Sequence, residues 1–205
     1  MDRRTTIKWV MAASAAWPLL NRPLARAQPA QAAQGYGTDP KVMENYQPGE
    51  LWPLTLSAAE RRLAGVLSDL IIPADGHSPA ASAVGVVDFL DEWVSAPYPD
   101  HRKDRDVVVA GLAWLDGEAG RRSGTPFVDL APAEQLRICD ALCDEAKAPE
   151  TLRTPARFFA RYRDLTAGAF YSTPLGRKDL NYIGNVPLAR FEGPPPELLK
   201  ALGLP

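Results

Sequence analysis

Nowhere in this chain do apolar and polar residues alternate for more than a few positions, whereas apolar side chains recur three and four residues apart in five separate stretches. That pattern argues against a sheet and leaves helices packed on one another as the way to build a core. The first stretch opens with Ser57-Ala58-Ala59-Glu60, a capping box in which hydroxyl and carboxylate satisfy unpaired helix N–H groups. Leu63, Val66, Leu67, Leu70 and Ile71 follow at helical spacing, and Pro73 stops the run. A second helix is predicted over residues 82–95, with Val86, Phe89, Leu90, Trp93 and Val94 inward. A third, over about 103–120, turns Val107, Val108, Gly111, Leu112 and Leu115 to one side.

Pro132 suits the first turn of a fourth helix, where its missing N–H is no loss; Leu136, Cys139, Cys143 and Ala146 fall on one stripe of it. Ala131 stands where a capping hydroxyl would be expected. Thr154-Pro155 opens a fifth helix carrying Phe158, Phe159, Tyr162, Leu165, Ala169 and Phe170. The expected fold is therefore all-α, about five helices in one domain over residues 54–171. An N-terminal linker or arm (28–53) precedes it, and an irregular, extended, Pro/Gly-rich tail (172–205) follows. Ser172-Thr173-Pro174-Leu175-Gly176 and Gly193-Pro194-Pro195-Pro196 cannot continue a helix. The apolar groups between them, Tyr182, Ile183, Val186, Leu188 and Phe191, are too many for a solvated tail, so this segment is expected to lie across a surface, its own domain's or a partner's.

The first 27 residues have a different character. Arg3, Arg4 and Lys8 lead an uncharged run over 9–21, and the small-residue site Ala25-Arg26-Ala27 closes it. A charged start, a short apolar centre and such an exit make a secretory signal, and the paired arginines point to the twin-arginine route, which carries folded cargo. An ordinary secretory leader would also open with positive charge. The uncharged run falls short of the ~20 residues that span a bilayer, so removal after Ala27 is expected rather than anchoring. The leader's net charge of +4 turns the chain's −2 into −6 once it is gone, and such a chain has no electrostatic drive toward nucleic acid.

Side chains that carry chemistry are scarce. There are two histidines, His77 and His101, and two cysteines, Cys139 and Cys143. Asp75, His77 and Ser78 crowd one loop, but neighbours in a short loop rarely reach the geometry of a triad; a turn in which Asp75 and Ser78 bond nearby N–H groups is the simpler reading. His101 sits in a mixed-charge run, 101–106, that reads as the solvated start of a helix. No dinucleotide, phosphate, zinc-protease, haem-attachment or calcium motif is present, so no catalytic, cofactor-binding or metal residue is assigned in this chain. The cysteines form C-x3-C on the fourth helix, either as two small core residues or with one bonded to another subunit. A bond between them is poor, because helical i,i+4 side chains run nearly parallel across roughly 6 Å.

Leu70-Ile71-Ile72-Pro73 followed by Ala74-Asp75-Gly76-His77-Ser78-Pro79, and Phe170-Tyr171-Ser172-Thr173-Pro174-Leu175-Gly176 with the later Tyr182-Ile183-Gly184-Asn185-Val186-Pro187, resemble the gluconate 2-dehydrogenase subunit 3 family. The similarity runs over roughly 56–196. It implies the non-catalytic small subunit of a periplasmic sugar, polyol or sugar-acid dehydrogenase complex, associated with the inner membrane through its partners. FAD would sit in a large subunit of the glucose–methanol–choline type, and heme c in a membrane-bound cytochrome subunit of the resulting heterotrimer. The small subunit would stabilise the large one and carry it through the twin-arginine translocase. Tyr171, Pro174, Tyr182, Asn185, Pro187 and Phe191 are the expected contacts, and loss of residues 171–205 is expected to abolish capture. The competing expectation is a free-standing periplasmic enzyme, hydrolase-like, using the His77 loop.

Overall fold

The computed structural model describes residues 44–182, 184, 187, 190 and 193–204. The leader residues Arg3, Arg4, Lys8, Ala25 and Ala27 lie outside them, as do Asn185 and Phe191. The chain divides after Tyr46, and every helix described belongs to the unit Gln47–Pro205.

Seven α-helices and no strand occur among the described residues: α1 (Ala58–Ile71), α2 (Val86–Ser95), α3 (Pro99–Ser123), α4 (Pro132–Asp140), α5 (Arg153–Ser172), α6 (Pro174–Asp179) and α7 (Pro196–Ala201). The first five match the five expected from apolar spacing; α6 and α7 are short helices in the segment expected to be irregular. α5 does end at Ser172, ahead of Pro174, as expected, but Pro174 and Pro196 also begin something. Each stands in the first turn of a new helix, where a missing N–H costs little.

The capping box at the head of α1 forms as expected: the Glu60 N–H donates to Ser57 Oγ and the Ser57 N–H to Glu60 Oε2. Leu63, Ala64 and Leu67 face inward from α1, joining Val86, Leu90 and Val94 of α2, Val108, Leu112 and Leu115 of α3, and Phe158, Phe159, Tyr162, Leu165 and Phe170 of α5 in one core. Two contacts fix how closely α5 approaches its neighbours. Gly111 on α3 takes the ring of Phe158 against its backbone, and a Cβ there would stand 2.0 Å from that ring. Tyr162 donates its hydroxyl hydrogen bond to Ala64 O at 2.8 Å and lies 3.0 Å from Ser68 Oγ, so burial pushes its pKa well above the usual phenol range.

Four details differ from the sequence reading. The helix expected over 82–95 is broken: a 3-10 turn (Ala81–Val84) ends at Gly85, whose φ of +84° suits glycine, and α2 starts afresh at Val86. Phe89, expected inward, is 37 % exposed and stacks on Trp93 instead. The phase of α4 is one residue off: Gln135, Ile138, Cys139 and Leu142 are buried while Leu136 is 45 % exposed, because the Gln135 amide donates to Phe127 O. Finally, 101–106 is not wholly solvated. Asp104 is buried, accepting from Trp93 Nε1 and from both Nε and Nη2 of Arg161, and Arg105 caps the last carbonyls of α2, Val94 O and Ser95 O.

The end of the arm is stitched to α2. Asp91, fully buried, accepts from the Thr55 and Leu56 N–H groups and pairs with Arg61, which also reaches Asp88. Trp52 Nε1 donates to Glu92 O, and the Gly49 N–H to the Glu92 carboxylate. A buried carboxylate is tolerable when it is paired and several donors converge on it, and here they do.

Candidate partner-binding face

The joint between α5 and α6 is assembled from side chains whose hydrogen bonds all turn back on the chain. The Ser172 hydroxyl donates to Gly168 O, and the Thr173 hydroxyl to Phe170 O at 2.7 Å. The same Thr173 oxygen accepts the Gly176 N–H at 3.0 Å, capping α6. Gly176 is buried against the end of α5, where a Cβ would lie 2.1 Å from Phe170 O. Thr-Pro-x-Gly thus makes a rigid elbow: hydroxyl cap, fixed φ, and no side chain where the two backbones meet.

Beyond the elbow, α6 buries only that glycine. Leu175, Leu180 and Tyr182 are 48, 55 and 58 % exposed. Asn181 closes the helix at φ +52°, a left-handed conformation that asparagine adopts more readily than other non-glycine residues. The Tyr182 N–H then folds back to Arg177 O at 2.9 Å. Leu198, Leu202 and Leu204 are exposed around α7. Six of the eight large apolar side chains exposed among the described residues therefore lie after position 174.

Of the contacts expected from sequence, Tyr182, Pro174 and Pro187 are exposed, while Tyr171 is half-buried, edge-on to Phe170. Leu175, Arg177 and Leu180 are exposed in the same segment and are not among those expected. Their signal is the short helix itself, visible in Thr173-Pro174 as a cap followed by a first-turn proline.

The cysteines do not share a face. Helix α4 ends at Asp140, so Cys139 is buried on it while Cys143 is exposed in the following turn. Burial pushes the Cys139 thiol up to about 12, with Cys143 and Asp140 adding to the shift. In the His77 loop, the His77 and Ser78 N–H groups both donate to Asp75 Oδ1, and these bonds hold the Asp75 carboxyl below its usual range. Asp75 thus makes the turn expected of it, while the Ser78 hydroxyl donates to Asp75 Oδ1 rather than bonding an N–H.

His101 packs its ring 4.1 Å from that of Trp93 and 5.4 Å from that of Tyr98, centroid to centroid. Burial lowers its pKa, outweighing the nearby Asp104 and Asp100. A recess of about 600 Å³ between α3 and α5 is lined by Val107, Gly111, Trp114, Pro155 and Phe158, with Asp106 and Arg157; neither histidine nor cysteine lines it.

Compared with protein families, residues 58–190 match the model of gluconate 2-dehydrogenase subunit 3. The chain belongs to that family. The family is that of an accessory subunit of a dehydrogenase, which implies a dehydrogenase partner. The matched span runs past the core through the elbow and α6 and stops short of α7. Comparisons with curated proteins and with solved structures found no match. Among the described residues no helix is long and apolar enough to cross a membrane.

Proposed function

We propose that this chain is the non-catalytic subunit that captures a flavin-dependent dehydrogenase of the glucose–methanol–choline type, stabilises it, and takes it to the periplasm on its own twin-arginine leader. The observation that carries the reading is the exposed apolar segment that follows the elbow: a short helix that buries one glycine and leaves Leu175 in solvent, with Leu180 and Tyr182 exposed just past its end. Apolar groups gathered this way on a fixed element suit burial against another protein. The family supports a dehydrogenase as that protein. FAD and heme c belong, on this reading, to the large subunit and to a cytochrome subunit through which the complex meets the inner membrane.

The test is co-expression of the tagged chain with its neighbouring genes and pull-down from periplasm. A yellow flavoprotein is expected to co-purify, and to stay in the cytoplasm when Arg3 and Arg4 become lysines. Truncation after Thr173 is the sharper deletion, because it spares Tyr171, which packs on Phe170. It is expected to abolish capture. Activity from the isolated chain, lost in His77→Ala, would overturn the reading.

Cys143 is the thiol we assign to a bond with another subunit, since Cys139 is buried. Non-reducing electrophoresis of the complex is expected to keep the two chains together, with Cys143→Ser releasing the small one and Cys139→Ser not. Release of the wild-type chain without reductant removes the assignment.

A further inference from the structure

We propose that His101 makes the strap of residues 47–56 sensitive to acid: the neutral ring fills the gap between Trp93 and Tyr98, and the protonated ring leaves it and unseats the strap. The inference is independent of the partner reading above. His101 lies in the first turn of α3, half-buried, with its ring 4.1 Å from that of Trp93 on α2 and 5.4 Å from that of Tyr98, centroid to centroid. Tyr98 in turn meets Trp52 of the strap edge-on, at 6.1 Å. An aromatic file therefore runs from α2 through His101 to the strap.

The inner edge of the imidazole is the sensitive point. Its Nδ1 is buried and has no hydrogen-bond partner among the described residues. A neutral ring with its proton on Nε2 leaves no N–H at that edge. Protonation adds a charged N–H where nothing accepts it, and a buried charged donor without a partner is costly. The ring escapes that cost by turning toward water. Doing so removes the surface on which Tyr98, and through it Trp52, rests.

The charged groups around the ring do not supply the missing acceptor. On α3, Asp104 already accepts from Trp93 Nε1 and from Arg161, and Asp100 pairs with Lys103. On α5, the Arg161 guanidinium opposes a second cation. Of the acids that α2 and the strap bring to this joint, Glu92 takes the Gly49 N–H, Asp91 pairs with Arg61, and Glu50 accepts from the Gln47 N–H. Asp104 and Asp100 do favour the imidazolium, but burial outweighs them and lowers the histidine below its ordinary value. The seated strap therefore favours the neutral ring. That contribution is full above about pH 6.5 and is lost as the pH falls below it, toward the lowered value of the seated ring.

The experiment takes the untagged full chain, labelled at histidine, and follows it by NMR together with amide exchange from about pH 7.5 to 5. The chain has two histidines, and His77, in its exposed loop, is the internal reference. Protection of the Thr55 and Leu56 N–H groups, which donate to Asp91, is expected to fall about tenfold for each pH unit that separates the seated from the unseated value of His101. The Leu165 amide within α5 should keep its protection. His101→Phe fills the gap and takes no proton, so its strap should stay protected across the range. His101→Gln guards against a misfit of the phenyl ring, and its strap protection should likewise not vary with pH. A fall in both variants equal to that of wild type would place the acid response elsewhere and overturn the proposal. So would a His101 that titrates at or above His77, or one that titrates low while Thr55 and Leu56 remain protected.

Discussion

α5 and α6 are consecutive helices of one chain, yet their order has different sources. α5 buries Phe158, Phe159, Tyr162, Leu165 and Phe170 and is fixed by the core it completes. α6 buries a glycine and is fixed by the Thr173 hydroxyl, which donates to Phe170 O and accepts the Gly176 N–H. Burying a phenylalanine or leucine contributes about 1.5–3 kcal/mol, so α5 is amply held by apolar contacts. Nothing comparable holds α6, whose leucines remain in water. A helix kept in place while its apolar side chains stay exposed suits the capture proposed above.

The comparison breaks or sharpens under substitution. Phe158→Ala should be the most damaging, about 3–5 kcal/mol in thermal unfolding of the mature chain, because it empties the core beside Gly111. Asp104→Ala should cost about 3 kcal/mol by leaving Arg161 and Trp93 without their shared acceptor. Burial raises the Asp104 carboxyl, but Arg161 and Trp93 outweigh it and leave it below its ordinary value. That stability is present above the unfolded pKa and is lost as the pH falls through the folded one.

Gly176→Ala should lower stability by only about 1 kcal/mol, since α6 can swing away from Phe170 O, but capture of the large subunit should fall sharply. Leu180→Ala should lie within about 0.5 kcal/mol of wild type while still weakening capture. A large loss of stability from either would mean that α6 belongs to the core after all. Smallest is Glu118→Gln near the C-terminal end of α3. Arg121 lowers the Glu118 carboxyl, with Arg122 adding and burial opposing, from 4.5 to about 2. Its contribution is full above pH 4.5 and drains as pH falls toward 2, so the variant should show a shallower acid limb in pH-dependent melting.

What sequence reading can reach depends on the range of the interactions. The capping box of α1 and the aromatic stripe of α5 are local and periodic, and both stand as expected. Asp91 and Asp104 are illegible in sequence, because the arginines that make their burial tolerable lie 30 and 57 residues away. Gln135 hides the phase of α4: an amide is not counted as apolar, yet its bond to Phe127 O buries it while Leu136 faces solvent. Pro174 carries two meanings at once. A proline ends the helix before it and also suits the first turn of the next, and the cap at Thr173 decides between them.

On the proposed function, the elbow also makes capture a form of inspection. Phe170, whose carbonyl accepts from Thr173 and lies close against Gly176, is a fully buried residue of the core. The attitude of α6 is thereby inherited from the packing of α5, and a chain whose core has not closed has no defined face to offer. A partner that grips α6 is therefore gripping proof of a finished fold. It draws the folding equilibrium toward that state by mass action, so on the proposed function the partner stabilises the very fold that it reads.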